Sequence, residues 1–473
     1  MKKVDFEKGK TLNIIVATAL PMLVAQILNL LYNIVDRIYI ARIPVIGTAA
    51  LGAVGLCFPV VILVTAFTNM YGSGGTPLFS IARGRNDDNE AVGIQNTSFL
   101  LLIVTAIVLT IVGELFCPQI LTLFGTSQSS MVYALPYLRI YLIGTVFTMI
   151  ATGMNPFINA QGFSTIGMMT VIVGAAANIV LDPIFIFVLG MGSQGAAIAT
   201  VISQALSAAY VIRFLFGNKC THRLHIMSVD EIKKCGPTAQ NIIGLGMAAF
   251  MTQLTNALVQ ISCNNVLADV GGDLFVSIMT IVNSARQMME TPLVAITEGA
   301  SPVVSYNYGS RNFDRVKKSI VIMFALVFSY ALVIWLFIRL FPGTVIGIFT
   351  SDKGIIDDTI PAFNMYFSTF IFMTFQHIGQ VVFKSLGKKV HAMFFSLFRK
   401  VVIVVSLTYL LPYVFHMGTD GVFLAEPVSN VVGGLACFVT MLIVVNSLLK
   451  KESTIPENIT TTPASVIEEE CAV

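Results

Sequence analysis

The sequence predicts an all-α integral membrane protein, with twelve transmembrane helices in two pseudo-twofold-related six-helix lobes. Composition, the placement of basic residues and an internal repeat predict it. Of the 473 residues, 56% are apolar and 11% charged, with a mean hydropathy of +0.83. A soluble domain carries about 25% charged residues to face water. Mostly apolar stretches of about 20 residues, enough to cross a bilayer, recur along the whole chain.

Charge clusters and Gly/Pro punctuation place spans at about 12–40, 48–80, 92–115, 131–153, 163–189, 193–216, 239–268, 274–307, 317–341, 355–383, 391–413 and 419–449. Lys2, Lys3, Lys8 and Lys10 precede a first span too long for the core of a cleaved signal. Twelve spans put both termini on one side. Connections on that side hold 20 of the 28 Lys and Arg, against Arg42, Arg339 and Lys353 on the other; the other five lie within spans. Basic connections stay in the cytoplasm, so cytoplasmic termini in the cell membrane are expected. A parity error of one span would destroy this asymmetry.

The expected units are a first lobe (1–217), a cytoplasmic linker (218–238), a second lobe (239–450) and a tail (451–473). The tail is polar, carries Pro456 and Pro463, and is expected to be disordered. Its Asn458-Ile459-Thr460 sequon would not meet the glycosylation machinery from the cytoplasm. A net charge of +3 gives no reason to expect a nucleic-acid partner. The seven cysteines show neither CxxC nor metal-ligand spacing and are expected to be free thiols.

A shift of 225 to 227 residues aligns the two halves end to end. Gln26, Asn29 and Asn33 fall on Gln253, Asn256 and Gln260. Pro77, Ser80 and Gly84 fall on Pro302, Ser305 and Gly309. Phe124, Pro136 and Tyr141 fall on Phe349, Pro361 and Tyr366. MGSQGAAIATVISQ from Met191 falls on MGTDGVFLAEPVSN from Met417. Two units of even span number enter from the same side and face each other across an axis along the membrane normal, a transporter architecture. The pattern GxxxxGK[ST] is absent and no soluble nucleotide-binding domain is present, so an ion gradient or the substrate's own gradient must supply the energy. The five histidines form no catalytic or ligand constellation, and an enzyme is not expected. Gly72-Ser73-Gly74-Gly75 and Gly299-Ala300-Ser301-Pro302 read as sites of close helix packing.

Polar groups inside spans are costly and therefore informative. In the first span Gln26, Asn29, Asn33 and Asp36 share one helical face. The amides suit either a cavity wall or bonds between helices; the carboxylate of Asp36 suits function. Asn178 and Asp182 share a face of the fifth span. At 1.5 Å per residue Asp36 and Asp182 lie about 30 Å from the cytoplasmic end, and Thr200 about 10 Å below the outer surface. Asp36, Asn178, Asp182 and Thr200 can thus meet. These hard oxygen donors suit Na⁺, and a carboxylate pair also suits a proton. Pro21 and Pro183 are candidate bends.

The second copy keeps the amides Gln253, Asn256 and Gln260 and loses the acids. Asp36 maps to Cys263, Asp182 to Leu407 or Thr408, and Thr200 to Glu426, a candidate for cation or substrate contact. Glu290 and Arg286 lie one turn apart and can neutralise each other. Arg139 and Arg399-Lys400 lack acidic neighbours in sequence, and the latter pair can snorkel to the cytoplasm. Glu298 is placed at an expected helix interruption.

Pro21 with LYNIVDRIYIA around Asp36, NIVLDPIFIF around Asp182, MGSQGAAIAT ending at Thr200, and SPVVSYNYGSRN together resemble the multidrug and toxic compound extrusion (MATE) family, prokaryotic type. The resemblance covers nearly the whole chain. It implies alternating access and export of small organic cations in exchange for Na⁺ or H⁺, by a secondary antiporter without a cofactor. It places the cation site at Asp36, Asn178, Asp182 and Thr200, and adds Tyr137 and Asn155 to the first-lobe cavity. Other branches carry acids in the seventh and tenth helices; here the seventh offers Gln253, Asn256, Gln260, Cys263 and Asn264. A second-lobe ion site of that type is not expected. The chain is expected to act as a monomer in the bilayer. The alternative is a lipid-linked oligosaccharide flippase of a related superfamily, which predicts a cavity rich in Arg and Lys, with Arg139 and Arg286 as candidates.

Overall fold

The computed structural model describes residues 3–44 and 47–453. The tail from 454 onward, with its sequon and Cys471, lies outside the described residues. The first lobe contains α1 (Thr11–Ala41), α2 (Gly47–Gly84), α3 (Asp88–Leu115), α4 (Cys117–Leu123), α5 (Gln128–Ile143), α6 (Thr145–Ala160), α7 (Ser164–Pro183) with a π-helical end (Ile184–Val188), and α8 (Gly192–Leu215). The linker carries α9 (Val229–Lys234). The second lobe contains α10 (Gly236–Val270), α11 (Gly272–Gly309), α12 (Phe313–Leu340), α13 (Pro342–Ile346), α14 (Lys353–Tyr366), α15 (Met373–Ser385), α16 (Lys389–Leu397), a π-helical stretch (Phe398–Val405), α17 (Ser406–Tyr413) and α18 (Gly418–Ser453).

Among the described residues, nine helical segments are long and apolar enough to cross a membrane. The pair α5–α6, bent by 53° at Gly144, makes a tenth span. The other two of the twelve fall short for physical reasons. α11 carries Asp273, Arg286, Glu290 and Glu298. α14 and α15 are separated by a 3₁₀ turn at Phe370–Phe372.

The repeat survives in the backbone. α2 and α11 are both 38 residues long and start 225 residues apart (Gly47, Gly272). α3 and α12 are both 28 residues long at the same offset (Asp88, Phe313). The turns before α3 and α12 match too. Asn86 and Arg311 both adopt positive φ, 59° and 57°. Asp87 and Asn312 each accept a backbone N–H from the third residue of the helix they cap. Two apolar cores follow the lobes, one built around Phe79, Leu138 and Phe157 and the other around Phe363, Phe383 and Phe423, and they exchange residues at the seam: the first takes in Ile242 of α10, the second Phe6, Ile14 and Ile15.

The lobes meet along symmetry-related seams. Gly74 of α2 lies against Gly246 and Ile242 of α10, so closely that a Cβ would overlap backbone. The counterpart is Gly299 of α11 against Ala19 of α1, where Thr18 Oγ1 also donates to the Gly299 carbonyl at 2.8 Å. Gly84 and Gly309 pass each other on the axis between α2 and α11. α11 therefore runs unbroken past Glu298, where an interruption was expected: its small residues serve close approach rather than a break. The N-terminal segment ties the lobes at the same end. The amide of Val4 donates to Gly162 O (2.9 Å), while Asn307 Nδ2 donates to Phe6 O (3.2 Å) and Arg315 Nη2 to Gly9 O (3.0 Å).

The linker is docked on the first lobe by buried polar groups. Gln161 Oε1 accepts the backbone amides of Thr221 and His222, both at 3.1 Å. His222 is buried, and its Nε2 sits 2.7 Å from Asp88 Oδ1. Burial holds the imidazole below its ordinary pKa, and the contact with Asp88 offsets this only in part. Folding thus favours neutral His222. Its stabilisation is full above the unfolded value of about 6.5 and declines as pH falls through it. The linker is expected to become more protease-sensitive at about pH 5.5 than at about pH 7.5. Limited proteolysis checks this, with His222→Gln as the pH-insensitive reference.

Candidate functional site

α1 and α7 pack side by side, which brings Asp36 into side-chain contact with Asp182. Asn178, one turn before Asp182 on α7, donates through Nδ2 to Asp182 Oδ1 at 3.2 Å and reaches Thr200 Oγ1 of α8 at 3.5 Å. Asn178 and Asp182 are buried, at 1% and 0% exposure. Asp36 Oδ1, Asn178 Oδ1 and Asp182 Oδ2 are buried without a hydrogen-bond partner. The four residues picked from charge and depth are thus brought together with three oxygens left to coordinate. Such a set accepts a proton or a hard monovalent cation. Groups of three or more His, Cys, Asp or Glu poised for a metal ion are absent among the described residues.

A cavity of about 690 Å³ lies between the lobes, lined by both. Gln26, Asn29, Tyr32 and Asn155 face it from the first lobe, and Gln253, Asn256, Gln287, Glu290 and His377 from the second. Asn178 and Thr200 also line it. They form the partition behind which the two aspartates sit. Asn155 Nδ2 bonds to Gly167 O (2.8 Å) and Thr170 Oγ1 (2.7 Å), which fixes its amide in the wall.

Four residues expected in the cavity lie outside its wall. Asn33 and its counterpart Gln260 are both exposed beyond the seam, and Asn33 Nδ2 bonds to its own helix at Asn29 O, 2.6 Å away. Tyr137 packs inside the first-lobe core. Glu426 is 4% exposed and ion-paired with Lys400 at 2.9 Å, Arg399 at 3.3 Å and Arg286 at 3.8 Å. The partners of Glu426 come from distant parts of the chain, and Arg399-Lys400 turn into the lobe rather than snorkel, which corrects that expectation. Arg139 likewise meets Glu114 at 3.7 Å. Arg286 pairs with Glu290 (3.2 Å) as its spacing suggested.

His377 was passed over in the sequence, yet its Nε2 meets Glu290 Oε1 at 3.0 Å on the cavity wall. Lys384 and Glu298 pair there at 2.7 Å. A charged residue within an apolar span was the available signal in each case. The partner, on another helix, was not. Pro21 lies inside a continuous α1, with Thr18 just before it bonded to the opposite lobe.

The comparisons agree with the duplicated frame. The MatE family model matches residues 21–184 and again 248–410. The multidrug export protein MepA of Staphylococcus haemolyticus (strain JCSC1435) is 25% identical over 354 residues, 74% of this chain and 76% of the relative. MepA of Staphylococcus aureus (strain MRSA252) is 24% identical over 358 residues, with the same coverage. Among solved structures, an outward-facing multidrug resistance MATE family transporter of the MOP superfamily superposes with a TM-score of 0.88 at 24% identity, over 95% of this chain and 99% of that one. A MOP superfamily transporter from Pyrococcus furiosus gives 0.87 at 24% identity with the same coverage. These structures share the fold. Because one family model accounts separately for each half, and together the two matches take in well over half of the residues, the chain belongs to the MatE family of multi-pass membrane transporters.

Proposed function

We propose that the chain exports small organic cations from the cell in exchange for Na⁺ or H⁺, by alternating access of the interlobe cavity. One observation carries the reading: the Asp36–Asp182 pair lies directly behind Asn178 and Thr200, which belong to both the ion site and the cavity wall. Two carboxylates in contact repel unless a cation lies between or upon them. An arriving ion draws α1 and α7 together and changes the wall that substrate touches. That difference between loaded and unloaded states is what coupling requires. The name of the MepA relatives, multidrug export proteins, supports the direction and the substrate class. The Lys/Arg asymmetry supports cytoplasmic termini in the cell membrane. The seams at Gly74, Gly299 and Phe6 then close the cytoplasmic side in this conformation. One chain supplies both walls of the cavity, which supports action as a monomer.

A flippase reading is weaker on the same wall. Its Lys384 is neutralised by Glu298, and Arg286 and Arg139 do not line the cavity. In proteoliposomes, a Na⁺ gradient or a pH gradient imposed alone is expected to drive ethidium against its own gradient. Failure of both would overturn the antiport reading. For the wall, Asn155→Leu removes three hydrogen bonds, including the one its Oδ1 accepts from Asn159 Nδ2, and an amide; substrate KM is expected to rise about tenfold, equivalent to about 1.4 kcal/mol, with ion dependence unchanged.

A further inference from the structure

The second lobe contains, at the place of the first-lobe ion site, a cluster that transport by Asp36 and Asp182 does not use. The correspondence is fixed by geometry. Cys263 Sγ lies 3.8 Å from Thr408 Oγ1, so the counterparts of Asp36 and Asp182 touch as the aspartates do. This resolves Asp182 onto Thr408, an offset of 226. Gly162 and Gly387, both with positive φ, stand 225 apart, whereas Gly192 and Gly418 stand 226 apart. One residue has therefore been gained between 387 and 418. The π-helical stretch Phe398–Val405 lies just before Thr408 and widens the helix there. Arg399 and Lys400 stand in that stretch, each 4% exposed. Glu426 occupies the position of Thr200.

The carboxylate of Glu426 receives Lys400 Nζ at 2.9 Å and Arg399 Nη2 at 3.3 Å. Arg399 Nη1 also bonds to Asn430 Oδ1. Arg286 stands 3.8 Å from Glu426 and 3.2 Å from Glu290, which His377 meets from α15. Three fixed cations thus face two carboxylates in the second lobe. In the first lobe, among the described residues, no Lys or Arg forms an ion pair with the two carboxylates, and Arg37, next to Asp36, lies over the Phe58 ring; Val173 and Gly174 hold the places of Arg399 and Lys400 at the same offset.

We propose that Lys400 is a tethered replacement for the coupling ion: its ammonium takes, in the second lobe, the place that a dissolved cation takes in the first. The second lobe is then permanently in its ion-loaded packing. The transporter has a single exchangeable coupling-ion site, and the conformational response to ions comes from the first lobe alone. This rests on the assignment of Asp36 and Asp182 as the ion site, and the test separates the two claims.

The measurement is the number of coupling ions bound per chain in purified full-length protein. Radioactive sodium counts them if Na⁺ couples, and proton release into weak buffer on ethidium addition counts them if H⁺ does. One ion is expected in the unmodified protein, none in Asp36→Asn, and one in the doubly substituted Lys400→Met, Glu426→Gln, which keeps the net charge of the cluster. Two ions in the unmodified protein, with one surviving in Asp36→Asn, would overturn the tethered-cation proposal and leave the first-lobe site standing. One ion surviving in Asp36→Asn but lost in the double variant would place the site in the second lobe and overturn both. One ion retained in Asp36→Asn and in the double variant would overturn the first-lobe assignment and, with it, the proposal that rests on it. The first two counts need no second-lobe substitution, so misfolding of the double variant does not shield the proposal.

Discussion

Asp36→Asn is expected to abolish ion-driven efflux while leaving the protein folded. Asparagine keeps the size of the side chain and an oxygen toward Asp182, but it removes one of the two charges that attract the ion in the proposed mechanism. On the proposed reading substrate binds in the interlobe cavity, and its lining residues Gln26, Asn29 and Asn155 are not altered. What disappears is the free-energy link between ion and substrate. Such links are typically worth about 1–3 kcal/mol, or roughly 5- to 150-fold in affinity. Ethidium accumulation under an imposed gradient should therefore fall to the level of empty vesicles, while ethidium binding at zero gradient stays within about threefold. Asp182→Asn should act in the same direction. Its amide would also face Asn178 Nδ2, whose bond to Asp182 Oδ1 is 3.2 Å long. Retention of full gradient-driven transport in either variant would remove the aspartate pair from the mechanism.

Much of this site was legible in the chain. A carboxylate inside an apolar span is expensive enough that its position alone is informative. Helical rise gave Asp36, Asp182 and Thr200 a common depth, and Asn178 followed from helix periodicity. The duplication was legible too, and the structure extends it to matching turns in which Asn86 and Arg311 both adopt positive φ. What stayed hidden was pairing between distant segments. Glu426 reads as an unaccompanied acid because Lys400 and Arg399 come from another helix, and only the fold turns them inward. Asn33 shows the converse failure. Its spacing puts it on the face of Gln26 and Asn29, but it is exposed outside the cavity wall, and the amide turns back on its own helix. Face is a property of the helix; contact depends on how far the partner extends.

The seam between the lobes makes the other large prediction. Gly246→Leu is expected to prevent closure at the end of the molecule that carries the N-terminus. A side chain there would overlap the backbone at Met70, and a Cβ on the opposing Gly74 would come within 2.8 Å of Gly246 Cα. Backbone cannot yield as a flexible side chain can, and overpacking costs about 1–3 kcal/mol or more. A conformational equilibrium so biased shifts by roughly ten- to a hundredfold, so turnover should fall by at least about tenfold. The lobes should still fold, because most of each core is drawn from one lobe and only a few residues, such as Ile242, cross the seam. Spin labels at Asn89 and Lys318, on the two lobes at this end, should report a longer distance in the variant than in the unmodified protein. The pseudo-twofold sharpens the expectation. Ala19→Leu, at the symmetry-related crossing against Gly299, should lengthen the same distance, whereas Gly93→Leu, where added atoms meet nothing within 4 Å, should leave both distance and turnover unchanged. If Gly246→Leu and Gly93→Leu behaved alike, the small residues of the seam would be packing detail rather than the surface on which the lobes close.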